Sequence, residues 1–263
     1  MNTQSKVNSI NPGSRLHRRL PFCRPATRDG FAAALLALTF VLCLAGPAAH
    51  ASLLAYEGFA YSAGSANLTG LNSGFGWGSP WYTINNGSSS VSGGSLTAGA
   101  NAPAGYDALS AGNSAFTPNG TRTSRWLDRS AGGTFGSHGY INGNGHIGAD
   151  GKTLYVSFMQ QPNGTAVYYE FEFHRGDLGD PGRMAGVGND AGDNDVHFRI
   201  EDPPGGGSSF TDLGAGNTSV NFYVVRFDFN YGGGNTVVTI YRNPTSATEP
   251  LTPKSVAATS TIA

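Results

Sequence analysis

The chain has 263 residues, 16 Lys and Arg against 17 Asp and Glu, 39 glycines and two cysteines. Six of the basic residues but only one acid, Asp29, fall in the first 30 positions, so ten bases face sixteen acids in the remainder, which is acidic. It contains no basic block, which excludes the electrostatic footprint of a nucleic-acid binder. Both cysteines, Cys23 and Cys43, precede residue 52, which removes disulfides, Cys–metal sites and thiol nucleophiles from everything after it.

The N-terminal 51 residues read as a signal peptide. Lys6, Arg15, Arg18, Arg19, Arg24 and Arg28 form a basic region, Phe31–Ala45 is an apolar run, Gly46-Pro47 breaks it, and Ala49-His50-Ala51 supplies small–x–small cleavage chemistry. The run is shorter than the roughly 20 apolar residues of a spanning helix, so no membrane span is expected after cleavage. Leu20-Pro21-Phe22 fits a twin-arginine reading of Arg18-Arg19 poorly, and Leu42 before Cys43 disfavours lipidation. The expected division is 1–51 signal peptide and 52–263 a single exported domain.

Beyond the leader no stretch carries helical periodicity with caps; short strands alternate with Gly/Asn/Ser clusters. Leu53–Phe59 opens the domain, Gly74–Tyr82 packs aromatic residues between glycines, Ser90–Thr97 and Thr123–Asp128 are weak strands. In Lys152–Gln160, Leu154, Val156 and Phe158 alternate with Thr153, Tyr155 and Ser157, and in Ala166–His174, Tyr169, Phe171 and Phe173 alternate with Tyr168, Glu170, Glu172 and His174. Period two sends the two sets to opposite faces. Pro162-Asn163-Gly164 between them reads as a hairpin turn. Asp195–Glu201 alternates again, and Asn221–Phe229 and Asn235–Arg242 flank a second hairpin turn at 230–234. The pattern predicts an all-β fold, an antiparallel β-sandwich or barrel.

Three segments carry a resemblance: Gly148–Phe158 (GADGKTLYVSF), Val224–Phe229 (VVRFDF) before a Gly-rich turn, and Val238–Pro244 (VTIYRNP) followed by Glu249-Pro250. With the opening Tyr56-Glu57-Gly58-Phe59 they resemble secreted bacterial proteins with a concanavalin A-like, laminin-G-type jelly roll, many of which end in a PEP-CTERM sorting signal. The resemblance covers most of 54–250 and implies a jelly-roll sandwich, secreted or held at the cell surface. The sorting signal and the family's last strand are missing after Glu249-Pro250, which leaves open a truncated C-terminus.

Three constellations are candidates for chemistry. Glu170, Glu172 and His174 share one strand face, about 6–7 Å apart per step. Laminarinase-type jelly-roll glucanases use a related strand with carboxylates at three alternate positions; a retaining mechanism needs two carboxyls about 5–5.5 Å apart. His174 stands where a third carboxylate would be, so Glu170 and Glu172 are weak catalytic candidates and all three are candidates for a polar sugar-binding face. Trp77, Trp81 and Tyr82, with Trp126, are candidates for stacking on sugar rings or for core filling. Gly186–Asp195 concentrates oxygen ligands, so Asp190, Asp193 and Asp195 are candidates for calcium, or belong to an Asx-rich turn; no other cofactor is indicated. The expected function is a non-catalytic module that binds polysaccharide or cell-surface glycan, in adhesion or extracellular matrix. The alternatives are a divergent glycoside hydrolase and a purely structural envelope or biofilm component.

Overall fold

A computed structural model describes residues 52–84, 87–109, 111–118, 120–176, 182–189, 193–201, 206–230, 235–246 and 255–256. Residues 1–51, where a signal peptide is expected, lie outside these residues. Residues 53–263 cluster as one unit, built on two four-stranded antiparallel sheets.

In chain order the strands are β1 Tyr82–Thr83, β2 Ser90–Ser92, β3 Ser114–Phe116, β4 Thr123–Ser124, β5 Thr153–Gln160, β6 Tyr169–His174, β7 Arg183–Asn189, β8 Asp195–Glu201, β9 Ser208–Ala215, β10 Asn221–Asp228, β11 Val237–Arg242 and β12 Ser255–Val256. One sheet runs β12-β11-β10-β5 and the other β6-β7-β8-β9. The β6–β9 meander is therefore inserted in the chain between β5 and β10, which pair with each other. Two short ribbons, β1–β4 and β2–β3, and one helical turn, α1 Thr134–Ser137, belong to the loop-rich region before β5.

The core lies between the two sheets. Val225, Phe227, Val238 and Ile240 meet Ala185, Val187, Val196, Phe198, Ile200 and Leu213, with Leu154, Val156, Phe158 and Phe173 packed against them. These are the apolar members of the alternating runs, and burying them holds the two sheets together. An all-β antiparallel sandwich is thus what the alternation predicts and what forms.

Two expectations need correction. Pro162-Asn163-Gly164 does not close a hairpin: β5 pairs with β10 and β6 with β7. The segment is a corner between the sheets, and Phe158 and Phe171 stack across it with centroids 4.0 Å apart. Phe158 and Phe173 pack against the buried core between the sheets, while Phe171 keeps 39% of its surface exposed. Second, Gly186–Asn189 is not a loop. It is the second half of β7, with Val187 and Asn189 buried. Strands β7 and β9 carry too much glycine and serine to announce themselves by alternation.

Candidate functional site

The outer face of β6–β9 follows from register. Glu172 lies opposite Gly186, and Gly186 opposite Arg199; Glu170 lies opposite Gly188, and Gly188 opposite His197. Because β7 presents glycine at both positions, side chains of β6 and β8 meet over it. A Cβ at Gly186 would coincide with the Glu170 carboxylate.

Glu170, Glu172 and His174 do share one face, as expected, and they share it with arginines. Arg199 Nε donates to Glu170 Oε1 at 3.0 Å and its Nη2 pairs with Glu170 Oε2, a two-point ion pair. Glu172 Oε1 takes Arg183 Nη1 at 3.2 Å and faces Arg199 Nη2 at 3.6 Å, while its Oε2 meets His174 Nε2 at 3.0 Å and Arg122 Nε at 3.4 Å. Glu201, at the end of β8, pairs with Arg183 and lies 3.7 Å from Arg199 Nε. Three carboxylates and three guanidiniums balance. The Glu170 and Glu201 side chains are only 3% and 2% exposed. Burial pushes the Glu172 carboxyl up, but the His174 hydrogen bond, the Arg122 charge and the Arg183 hydrogen bond outweigh it and hold the group below the ordinary carboxylate range. Such a group accepts hydrogen bonds and does not donate a proton at neutral pH, which is the opposite of a general acid.

Trp77 and Trp81 are likewise engaged internally. Arg125, 1% exposed, pairs with Glu57 and lies over the Trp77 and Trp81 rings at 4.8 and 5.4 Å. Glu57 is a hub: it accepts from Phe59 N at 2.7 Å, and from Tyr61 Oη, Ser73 Oγ and Trp81 Nε1 at 3.1 Å each. Trp77 Nε1 donates to the Tyr56 carbonyl at 3.0 Å. Gly74 and Gly76, at φ +74° and +79°, allow this close approach, since a side chain at either would strike the 54–56 backbone. Tyr82 pairs with Ser124 in the β1–β4 ribbon; burial pushes its hydroxyl up to about 12.

Of the calcium candidates, Asp190 lies outside the described residues. Asp193 Oδ1 accepts from Asp195 N at 2.9 Å, an Asx turn, and its Oδ2 faces His197 Nε2 at 3.7 Å. Among the described residues no group of three or more His, Cys, Asp or Glu is arranged to hold a metal ion. A surface depression of about 290 Å³ is lined by Gly78 and by Trp126–Ser130, and contains neither Glu170 nor Glu172.

Sequence reasoning missed two features. Arg199 and Glu201 come from β8, which the alternation rule places correctly, whereas Arg183 lies on the unannounced β7 and Arg122 just before β4; nothing in one strand says what its neighbour will present. The other is the outer face of the β5–β10 sheet. The segment bearing Ala98, Ala102 and Tyr106 covers one end of it, packing on Phe222, Met159 and Val224. The other end bears Tyr155, 50% exposed, opposite Arg226 in register, whose guanidinium lies 5.9 Å from the Tyr155 ring and pairs with Asp228 at 2.8 Å.

Comparison of the chain with models of protein families, with curated proteins and with solved structures returned no match. No helix among the described residues is long and apolar enough to cross a membrane.

Proposed function

We propose that this is an exported, non-catalytic β-sandwich module of concanavalin A-like jelly-roll type that binds extracellular or cell-surface glycans. The observation that carries the non-catalytic part is the pairing of Glu170 and Glu172 with Arg122, Arg183 and Arg199. A retaining glycosidase needs one carboxyl that gives up a proton and one that attacks carbon; Glu172 is held ionised and so lacks the proton, and the oxygens of both carboxylates are occupied by internal ion pairs. Export rests on the basic region, apolar run and Ala-x-Ala site of residues 1–51. Binding rests on the Tyr155 face, where an exposed aromatic ring lies beside an Arg–Asp pair able to hydrogen-bond sugar hydroxyls.

The test is a glycan array on the purified protein, with reducing-sugar release measured in parallel on soluble β-glucans. Binding that falls in Tyr155→Ala, with no sugar released, is the expected result. Turnover abolished by Glu172→Gln overturns the non-catalytic reading. A second reading, a structural envelope or biofilm component, is favoured by one observation: Trp77, Trp81, Glu170 and Glu172 are all engaged in internal contacts. An array without hits decides for it.

A further inference from the structure

The sandwich interior becomes polar at one end. Among the described residues, Tyr223 Oη and Gln160 Oε1 are buried without a hydrogen-bond partner. Both belong to the inner face of the β5–β10 sheet, and register brings them together: Gln160 lies opposite Asn221, while Tyr223 lies between Phe158 on β5 and Arg242 on β11. The facing sheet contributes Tyr169 and Asn189, themselves a register pair. The apolar core therefore gives way here to two phenols, three amides and a guanidinium.

Arg242 is the unusual member. It is buried, and its partners are all neutral. Nε donates to Asn221 Oδ1 at 3.2 Å, Nη1 to the Leu213 and Gly214 carbonyls at 3.0 and 2.9 Å, and Nη2 to the Ala215 carbonyl at 2.9 Å. A guanidinium has five N–H donors, so one Nη2 proton is left over. Every other arginine described on these two sheets, Arg183, Arg199 and Arg226, has a carboxylate; among the described residues Arg242 has none.

We propose that this end of the sandwich interior is a binding site for a small monovalent anion of halide size, held by the Arg242 guanidinium, the Tyr223 hydroxyl and the Gln160 side-chain amide. A buried charge with only dipoles around it is far more costly than an unpaired hydroxyl. Water would satisfy Tyr223 and Gln160 but leave that charge uncompensated, whereas an anion answers both. The Gln160 amide presents NH₂ in place of oxygen by a half-turn, giving three donors. Burial pushes the Tyr223 hydroxyl upward against the opposing pull of Arg242, so it stays protonated and donates.

The test has two arms on the purified protein. Crystals soaked in sodium bromide are expected to give an anomalous peak within about 3.5 Å of Arg242 Nη2 and Tyr223 Oη. Thermal unfolding is then compared in sodium chloride and in sodium gluconate at equal ionic strength. The chloride Tm is expected to be at least about 3 °C higher, and Tyr223→Phe, which removes only the hydroxyl, is expected to fold and lose that increment. Equal Tm values in the two salts overturn the proposal. So does water at the site in the bromide-soaked crystal. A bromide peak without a chloride increment in solution means an adventitious ion only, and overturns it as well.

Discussion

Arg199 on β8 reaches across the intervening strand and grips Glu170 on β6 at two points, over the bare backbone of Gly186. The strand between them contributes no side chain at that position, and the ion pair occupies the space a Cβ would take.

Gly186→Ala therefore displaces the Glu170 carboxylate and leaves Arg199 short of a buried partner. The expected loss is about 3–5 kcal/mol, the usual consequence of breaking a buried pair, read as a fall in the urea midpoint. In a Glu170→Ala background the same glycine substitution is expected to cost under about 1 kcal/mol, because the space it claims is then empty. Equal costs in both backgrounds would show that Gly186 is needed for its backbone alone.

Glu172 gives the network a pH signature. Its folded pKa lies below the ordinary value, so its contribution to stability is fully present above the unfolded carboxylate range and fades as pH falls through the folded value. Wild type is expected to exceed Glu172→Gln by about 3 kcal/mol at pH 7. The gap should close progressively once pH drops below about 4. Stability curves of the two proteins that stay parallel to strong acid contradict this account.

Glu57 and Arg125 tie together three separated segments, 56–61, 72–81 and 125–126. Glu57→Ala alone leaves Arg125 buried with its charge unpaired and is expected to cost about 3–5 kcal/mol. It should also shift the emission of Trp77 and Trp81, whose rings lie under that guanidinium. Replacing both, Glu57→Gln with Arg125→Met, is expected to cost less than Glu57→Ala. Denaturant titrations followed by tryptophan fluorescence read both effects together.

Tyr155 separates a binding platform from a packing residue. Half of its surface is exposed, so Tyr155→Ala is expected to move Tm by under about 2 °C while weakening retention on laminarin or another glycan of the array about tenfold or more. Trp81→Ala should do the reverse, lowering stability through its lost contacts with Glu57, Phe59 and Arg125. Affinity electrophoresis with matched melting curves distinguishes the two.

Which parts of this were legible in the chain depended on how local their causes were. The strands at 153–160, 169–174, 195–201, 221–228 and 237–242 follow from alternation, because burying one side of a pleated strand selects its apolar set. The glycine-bearing β7 and the polar β9 lack that contrast, and the glycines of β7 precede a run of acids, the composition of a cation-binding loop. Alternation alone places Glu170, Glu172 and His174 on one face but leaves them open as ligands. Their neutralisation by Arg122, Arg183 and Arg199 depends on two strands and a loop that lie far from them in the chain.

The residues alone determined an all-β chain, a cysteine-free acidic remainder after residue 51 and the face membership of the alternating strands β5, β6, β8, β10 and β11. Those properties come from composition and from a period of two, which every short segment carries in itself. Only the tertiary structure decided that β5 pairs with β10 across an inserted meander, and that 161–168 is a corner where a hairpin was expected. It also decided that the charged face of β6 is closed by guanidiniums from elsewhere. Sheet order and cross-strand charge pairing are properties of neighbours, and two strands become neighbours only when their apolar faces are buried together.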